Sequence, residues 1–222
     1  MQRYKYPRTY HLPNSPGATS DDKVHQNVSF FEGKQIVITE KRDGENTTIY
    51  PDGYLHARSI DSKNHPSRNY IKNVIVPKIQ GNIDDKLRIC GENLFAKHAI
   101  FYNDLVCYFE VFGIYSWVRC LSWHETEELV DLLDLQLVPV LYKGLYTKNI
   151  INETIEQLDF NRQEGFVIRT EDSFEWDRLN YGCSAIAKYV RKGHVQEGSD
   201  HWQHSQIIQN KLITDKGKWI HH

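Results

Sequence analysis

The sequence predicts an α+β domain with antiparallel sheets, and three features carry that reading. Short runs rich in aromatic and β-branched residues recur at 35–39, 106–117, 165–169 and 185–190, a composition that suits a pleated, half-buried surface. Pro51-Asp52-Gly53, lying between 47–50 and 54–58, is the kind of sequence that reverses a chain between two strands. Helix signals are sparse and do not alternate with the strands as βαβ units would require.

Taken in order, the lead up to residue 23 contains Pro7, Pro13, Pro16 and Gly17, which suppress helix and predict an irregular or extended segment packed on the domain. It alternates aromatic and basic groups (Arg3, Tyr4, Lys5, Tyr6, Arg8, Tyr10, His11). Stacking plus phosphate contact is one use of that mixture; an edge segment packing its tyrosines is the preferred one. A strand at 35–39 leads to Lys41, and the hairpin follows directly. Residues 61–68 read as polar loop, while 70–79 fits no single element. The 106–117 run is the strongest strand signal. Ser122-Trp123-His124-Glu125 has capping-box spacing, and Leu129, Leu132 and Leu133 supply an apolar helix face. Strands at 165–169 and 185–190 are separated by a polar loop at 171–180. No internal repeat or low-complexity tract is present.

At 222 residues the chain suits one domain over 1–222, with 193–222 as a short tail. Its 40% hydrophobic and 25% charged residues are ordinary for a globular protein. A formal charge of −2 argues against a broadly basic nucleic-acid coat, so polynucleotide contact would use a local cationic strip. Cys90, Cys107, Cys120 and Cys183 lack C-x-x-C spacing, which disfavours zinc, and nothing suggests a secreted disulfide framework. A cytoplasmic location is expected. No run approaches the ~20 apolar residues needed to span a bilayer, so neither export nor membrane contact is indicated.

The chemistry begins at Lys41, which ends an apolar run and is followed by Arg42-Asp43-Gly44. A lysine held in a pocket can become a nucleophile. Its ordinary pKa is near ~10.4, so attack near neutral pH needs the neutral amine, favoured by desolvation or neighbouring cations. Asp43 would orient the amine and Gly44 would let the backbone turn. A surface lysine before a tight turn explains that window as well. Four further windows follow: Cys90-Gly91-Glu92-Asn93-Leu94, Cys107-Tyr108-Phe109-Glu110-Val111-Phe112-Gly113-Ile114, Glu164-Gly165-Phe166-Val167-Ile168-Arg169 and Ala187-Lys188-Tyr189-Val190-Arg191-Lys192. With Lys41-Arg42-Asp43-Gly44-Glu45-Asn46, in this order, they resemble the covalent nucleotidyltransferases, the polynucleotide ligases and messenger-RNA capping enzymes. The chain looks most like the ATP-dependent RNA ligases on the branch typified by phage RNA ligase 2, from about residue 36 to 192.

That resemblance implies antiparallel sheets around a nucleotide cleft, in an ATP-grasp-like ligase domain. It also implies ATP and Mg2+ as cofactors, with Mn2+ able to substitute, and RNA with 5′-phosphate and 3′-hydroxyl ends as partner. Lys41 would carry AMP as a phosphoramidate. Lys188 would meet the charge growing on the α-phosphate and depress the pKa of Lys41. Glu164 would bind or orient the metal, its plainer use being a salt bridge to Arg162 or Arg169. Phe112 matches the aromatic that stacks on adenine, with Phe109 as fallback on the opposite sheet face. Glu92 corresponds to the glutamate that accepts from ribose hydroxyls, and Glu40, beside the lysine, is placed in the nucleotide site. Arg58 resembles a basic residue on ribose or RNA phosphate, or is a solvated strand-end charge. Asn46 resembles the asparagine associated with the 5′-phosphate, or serves a turn.

The last window departs from the lysine-x-lysine of many relatives. Val190 takes the second position, and Arg191 or Lys192 would replace the missing cation toward RNA. The 30 residues after Lys192 are too few for the further C-terminal domain of many superfamily members, which a protein partner would then supply. His194, Trp202, His204, Lys211, Lys216 and Lys218 are read as a nucleic-acid strip or, preferably, a tail docked by Trp202 and Ile207. His221-His222 is read as an added terminal tag. Three functions compete: an RNA ligase, a DNA ligase or guanylyltransferase with the same lysine chemistry, and a non-catalytic RNA-end or nucleotide-binding module.

Overall fold

A computed structural model describes residues 2–177, 182–193 and 207–214. In chain order the strands are β1 (Tyr10–His11), β2 (Gln35–Lys41), β3 (Glu45–Ile49), β4 (Leu55–His56), β5 (Leu87–Asn93), β6 (Phe109–Ser116), β7 (Arg119–Cys120), β8 (Gln136–Leu137), β9 (Val140–Leu145), β10 (Gly165–Thr170), β11 (Phe174–Glu175) and β12 (Ile186–Val190). The helices are α1 (Val76–Ile79), α2 (Trp123–Leu132) and α3 (Ile150–Gln157). One sheet runs β1-β12-β10-β2-β9 and the other β11-β7-β6-β5-β3-β4, with β8 beside β6. Among the strand pairs of the described residues, β1 with β12 and β6 with β8 are the parallel ones. The predicted α+β class with antiparallel sheets is therefore the observed one.

The chain passes from one sheet to the other between Lys41, the last residue of β2, and Glu45, the first of β3. Gly44 sits in that crossover because there is no room for a side chain: a Cβ would lie 2.5 Å from the Asn93 carbonyl oxygen and 2.9 Å from Leu94 Cδ2. The hairpin after it closes as expected. Gly53 adopts φ +82°, and its N–H donates to the Tyr50 carbonyl at 3.0 Å. In α2 the capping box forms, with Ser122 Oγ accepting from Glu125 N at 3.2 Å and Glu125 Oε2 accepting from Ser122 N at 2.8 Å. The buried stripe is Trp123, Thr126, Val130 and Leu133, whereas Leu132 is 76% exposed. Leu132 lies one residue off the 3.6-residue period set by the others, which corrects its placement on the apolar face.

Residues 61–68 are irregular except for a short 3-10 turn, Pro66–Arg68. The segment that fitted no element is a π-helical turn, Ile71–Ile75, running into α1. Its buried residues are Ile71, Ile75, Val76 and Ile79, with Ile71, Ile75 and Ile79 at four-residue steps along one face. β9 and α3 were not read from the sequence. α3 packs Ile150, Ile151 and Ile155 into the cluster of Phe31, Ile36, Ile38 and Phe166. No helix among the described residues is long and apolar enough to cross a membrane.

The lead packs its aromatic groups as preferred. Tyr6 meets Phe112 edge-on, with ring centroids 5.2 Å apart, and Arg3 lies 4.5 Å from the Tyr50 ring centroid. At the other end Asn210 docks the 207–214 segment, donating through Nδ2 to the Leu94 carbonyl and accepting from Tyr102 N at 2.9 Å. Ile207 is only partly buried and Lys211 is exposed. His194, Trp202, His204, Lys216, Lys218, His221 and His222, with part of the 171–180 loop, fall outside the described residues.

Gly165 opens β10 at φ +156°, where a Cβ would stand 1.9 Å from the Tyr189 carbonyl oxygen. Gly165→Ala forces β10 and β12 apart beside Glu164. It is expected to cost about 1–3 kcal/mol, read as a lowered urea midpoint with unchanged m-value.

Candidate active site

Strand alternation places the candidate residues. Side chains two apart share a sheet face, and Thr39, Val167 and Lys188 lie in one row across β2, β10 and β12. Lys41, Arg169 and Ile186 share their face. On the other sheet Asn46 stands opposite Glu92. Phe112 is skipped by the ladder, because Cys90 pairs Gly113 and Gly91 pairs Val111. That bulge re-aims its ring. Between the two faces is a cavity of about 780 Å³ lined by Glu40, Lys41, Asn46, Arg58, Glu92, Phe112 and Lys188. Phe109 is fully buried in the core. Gly91 makes room for it, since a Cβ there would lie 2.4 Å from Phe109 Cζ.

Lys41 is partly buried, and its Nζ donates to Glu164 Oε2 at 2.5 Å. Arg162 pairs instead with Asp104, at 2.6 Å, and Arg169 Nη2 donates to the Leu121 carbonyl. The plainer salt bridges expected of Glu164 are therefore not made. Burial pulls the pKa of Lys41 down, but Glu164, Glu92 and Asp43 together raise it above the ordinary value. The expected depression falls on Lys188 instead, lowered to about 8 by burial and then by Lys41. The reason is distance: a carboxylate touches Lys41, whereas the acid nearest Lys188 is Asp22 at 4.0 Å. Asp43 does not hydrogen-bond the amine as expected. Its carboxylate accepts from Ile100 N at 2.7 Å, and its own N–H donates to Tyr102 Oη, fixing the crossover.

Glu92 accepts from Gly44 N at 3.1 Å. Burial pushes its carboxyl up to about 8, with Lys41 pulling it back and Glu164 and Asp43 pushing it further. Burial in this arrangement thus favours the protonated form of a group expected to act as a carboxylate. A raised folded pKa means that the folded state binds the extra proton between the unfolded value, near ~4.3, and about 8. Stability therefore falls as pH rises through that window. Glu92→Gln removes this part of the slope, as urea unfolding at pH 5, 7 and 9 would show.

Glu40 is 7% exposed, and its carboxylate accepts from Arg42 Nη1 at 2.7 Å and Gln163 Nε2 at 2.8 Å. Arg42 also makes a two-point contact with Glu110, Nε to Oε2 at 2.7 Å and Nη2 to Oε1 at 3.2 Å. Asn46 lies within β3 rather than in a turn, and its buried Oδ1 has no hydrogen-bond partner. Arg58 is exposed at the mouth. Arg191 and Lys192 do not line the cavity; Arg191 N donates to the Glu164 carbonyl at 3.0 Å, and Lys192 is exposed. Sequence reasoning missed Tyr6, Pro7 and Thr9 from the lead, and Lys63, His65, Arg68 and His98, all of which line the cavity. Only the aromatic and proline content of the lead hinted at any of them.

The family model for RNA ligase matches residues 34–190. The chain belongs to the RNA ligase family. Its fold is similar to that of a Naegleria gruberi RNA ligase with PPi, at 19% identity and TM-score 0.56, over 78% of this chain and 54% of that one. An archaeal ATP-dependent RNA ligase gives 18% identity and TM-score 0.55, over 86% and 48%. A variant of the Naegleria ligase with ATP and Mn gives 16% identity and TM-score 0.51, over 85% and 62%. At such identities the likeness shows the fold alone. The chain spans about half the length of the first two structures. No curated protein matches its sequence.

Proposed function

We propose that this chain is an ATP-dependent RNA ligase that joins 5′-phosphate and 3′-hydroxyl ends through AMP carried on Lys41. The observation that carries the reading is one amine, held by Glu164, at a cavity that also presents Lys188, Glu92 and Phe112. In the first transfer the neutral Lys41 amine attacks the α-phosphorus of ATP. A phosphorus–nitrogen bond forms, the bond to the oxygen bridging to the β-phosphate breaks, and pyrophosphate leaves. The proton of the resting ammonium goes first to Glu164, its nearest acceptor, and then to water. In the second, an oxygen of the RNA 5′-phosphate displaces Lys41, which recovers a proton. In the third, the RNA 3′-hydroxyl attacks that 5′-phosphorus and AMP departs.

Lys188 supplies a placed cation where charge grows on the α-phosphate. Phe112 offers a π-face to adenine and Glu92 hydrogen bonds to ribose. Glu40, which lines the nucleotide cavity, is held there by Arg42 and Gln163. Arg58 and Asn46 take RNA or phosphate, the free Oδ1 of Asn46 facing a donor such as a ribose hydroxyl or a protonated phosphate oxygen. Arg191 and Lys192 meet RNA outside the cavity. No group of three or more His, Cys, Asp or Glu side chains converges among the described residues. Such a site fits an ion held mostly by phosphate and water, as magnesium or manganese is, with Glu164 as its protein ligand. The ion would offset phosphate charge when bound. We further propose one domain over 1–222 and a cytoplasmic location.

The test is intact-mass measurement after incubation with ATP, and separately GTP, plus magnesium, with the adduct mapped by peptide sequencing. AMP on Lys41 is expected, followed by transfer to 5′-phosphorylated RNA in preference to DNA. A GMP adduct alone would assign guanylyl transfer, and no adduct with either nucleotide overturns the proposal.

A further inference from the structure

We propose that Asp22, in the N-terminal segment, is a positioning residue for Lys188, holding that cation in place and in its charged form at the cavity. The inference rests on the function proposed above and adds a residue that precedes the family-matched region, which begins at 34.

The segment is built around β12. β1 lies parallel to it with His11 opposite Lys188. Leu12 N donates to the Lys188 carbonyl at 2.8 Å, Gly17 N to the Val190 carbonyl at 2.8 Å, and Val190 N to Ser15 Oγ at 2.9 Å. The chain then doubles back, so that His11 N donates to the Lys23 carbonyl and His25 N to the His11 carbonyl. Asp22 is delivered by that return. Its Oδ2 accepts from Thr19 N at 3.1 Å and Thr19 Oγ1 at 2.9 Å. Its Oδ1 is left 4.0 Å from Lys188 Nζ and 3.6 Å from His11 Nε2. His11 is 1% exposed, and its Nδ1 lies 2.8 Å from Ser15 Oγ. The carboxylate is thus anchored on one oxygen and aimed with the other.

The charges around Lys188 make that aim consequential. Burial, Lys41 from β2 and Arg58 from beyond β4 favour loss of its proton, while Asp22 and Glu164 favour keeping it. His11, from β1, faces the same Asp22 oxygen. Of the two acids Glu164 is taken up by Lys41, so Asp22 is the one ion-paired to Lys188. A neutral Lys188 would offer the α-phosphate a dipole instead of a charge.

The experiment compares the full chain with Asp22→Asn in two readouts. In the first, NMR of 13Cε-labelled lysines follows Lys188 against pH, its signal assigned by its loss in Lys188→Met. Its midpoint should fall by about 0.5–1 pH unit in Asp22→Asn, and Thr19→Val, which removes the hydroxyl donor from the anchored oxygen and leaves the backbone one, should move it less and in the same direction. In the second, single-turnover AMP-adduct formation should lose its alkaline limb at correspondingly lower pH in Asp22→Asn. No such shift is expected when Asp22→Asn is placed in a Lys188→Arg background, because arginine keeps its proton. An unmoved Lys188 midpoint in both variants overturns the proposal whether or not the protein labels. A midpoint that moves while the rate profile stays overturns the positioning role. Absence of adduct in the parent protein is failure of the functional reading alone, and the NMR midpoint still decides the Asp22 contact.

Discussion

Lys41→Arg is expected to abolish the nucleotide adduct, lowering labelling by more than about 10⁴-fold, while the protein stays folded and binds ATP. Arginine keeps the positive charge opposite Glu164, whose Oε2 lies 2.5 Å from Lys41 Nζ in the parent. The lining residues Phe112, Glu92 and Lys188 are untouched. What changes is chemistry: a guanidinium does not release its proton in a protein, so it offers no lone pair to phosphorus. In the proposed reaction lysine would do so even though its carboxylate neighbours raise its pKa, because the neutral fraction grows as pH rises and Glu164 is at hand to take the proton. Intact mass reports the adduct, and calorimetric titration with ATP reports binding. An adduct on Lys41→Arg at the parent rate would place the nucleophile elsewhere. Loss of both adduct and binding would make Lys41 a structural cation instead.

Glu45→Ala is expected to destabilise the fold by about 3–5 kcal/mol. Glu45 is 7% exposed and Arg68 is 3% exposed, and they meet through two hydrogen bonds, Nε to Oε1 at 2.6 Å and Nη2 to Oε2 at 2.5 Å. Asn93 Nδ2 adds a longer contact at 3.5 Å. Truncating the acid leaves a buried guanidinium whose remaining acceptor among the described residues is the Lys63 carbonyl. Replacing both partners, Glu45→Leu with Arg68→Met, should recover most of the loss, because the charge that required solvation is gone. Urea unfolding distinguishes the cases. A single substitution costing under 1 kcal/mol would mean that water reaches Arg68. The pair joins the start of β3 to the 3-10 turn at Pro66–Arg68, so the single variant should also weaken ATP binding.

Much of the frame was legible locally. β2, the hairpin, β6, β10, β12 and the capped start of α2 each declare themselves within a few residues, through alternation, turn chemistry or a side chain that bonds its own helix end. The elements missed have reasons. β9 is largely exposed, which blurs alternation, and the helical segment at 71–79 is short, with Pro77 at the start of α1. In the site, spacing said that only one of Phe109 and Phe112 could face the cavity and the resemblance favoured Phe112, although the bulge at Phe112 was not readable.

The partners of the charged groups were not readable. Asp43, two residues from Lys41, was the natural choice to hold it, yet the carboxylate that does so is 123 residues away in sequence. Sequence alone determined the family, the α+β class and which residue types stand ready at Lys41, Glu92, Phe112, Glu164 and Lys188. Only the tertiary structure decided which acid meets which base, that Lys41 is the amine with the raised pKa and Lys188 the one lowered, and that the N-terminal segment reaches the cavity. Side-chain alternation is a property of neighbouring residues, whereas Coulomb energy and desolvation depend on distances and burial that exist only once the sheets have paired.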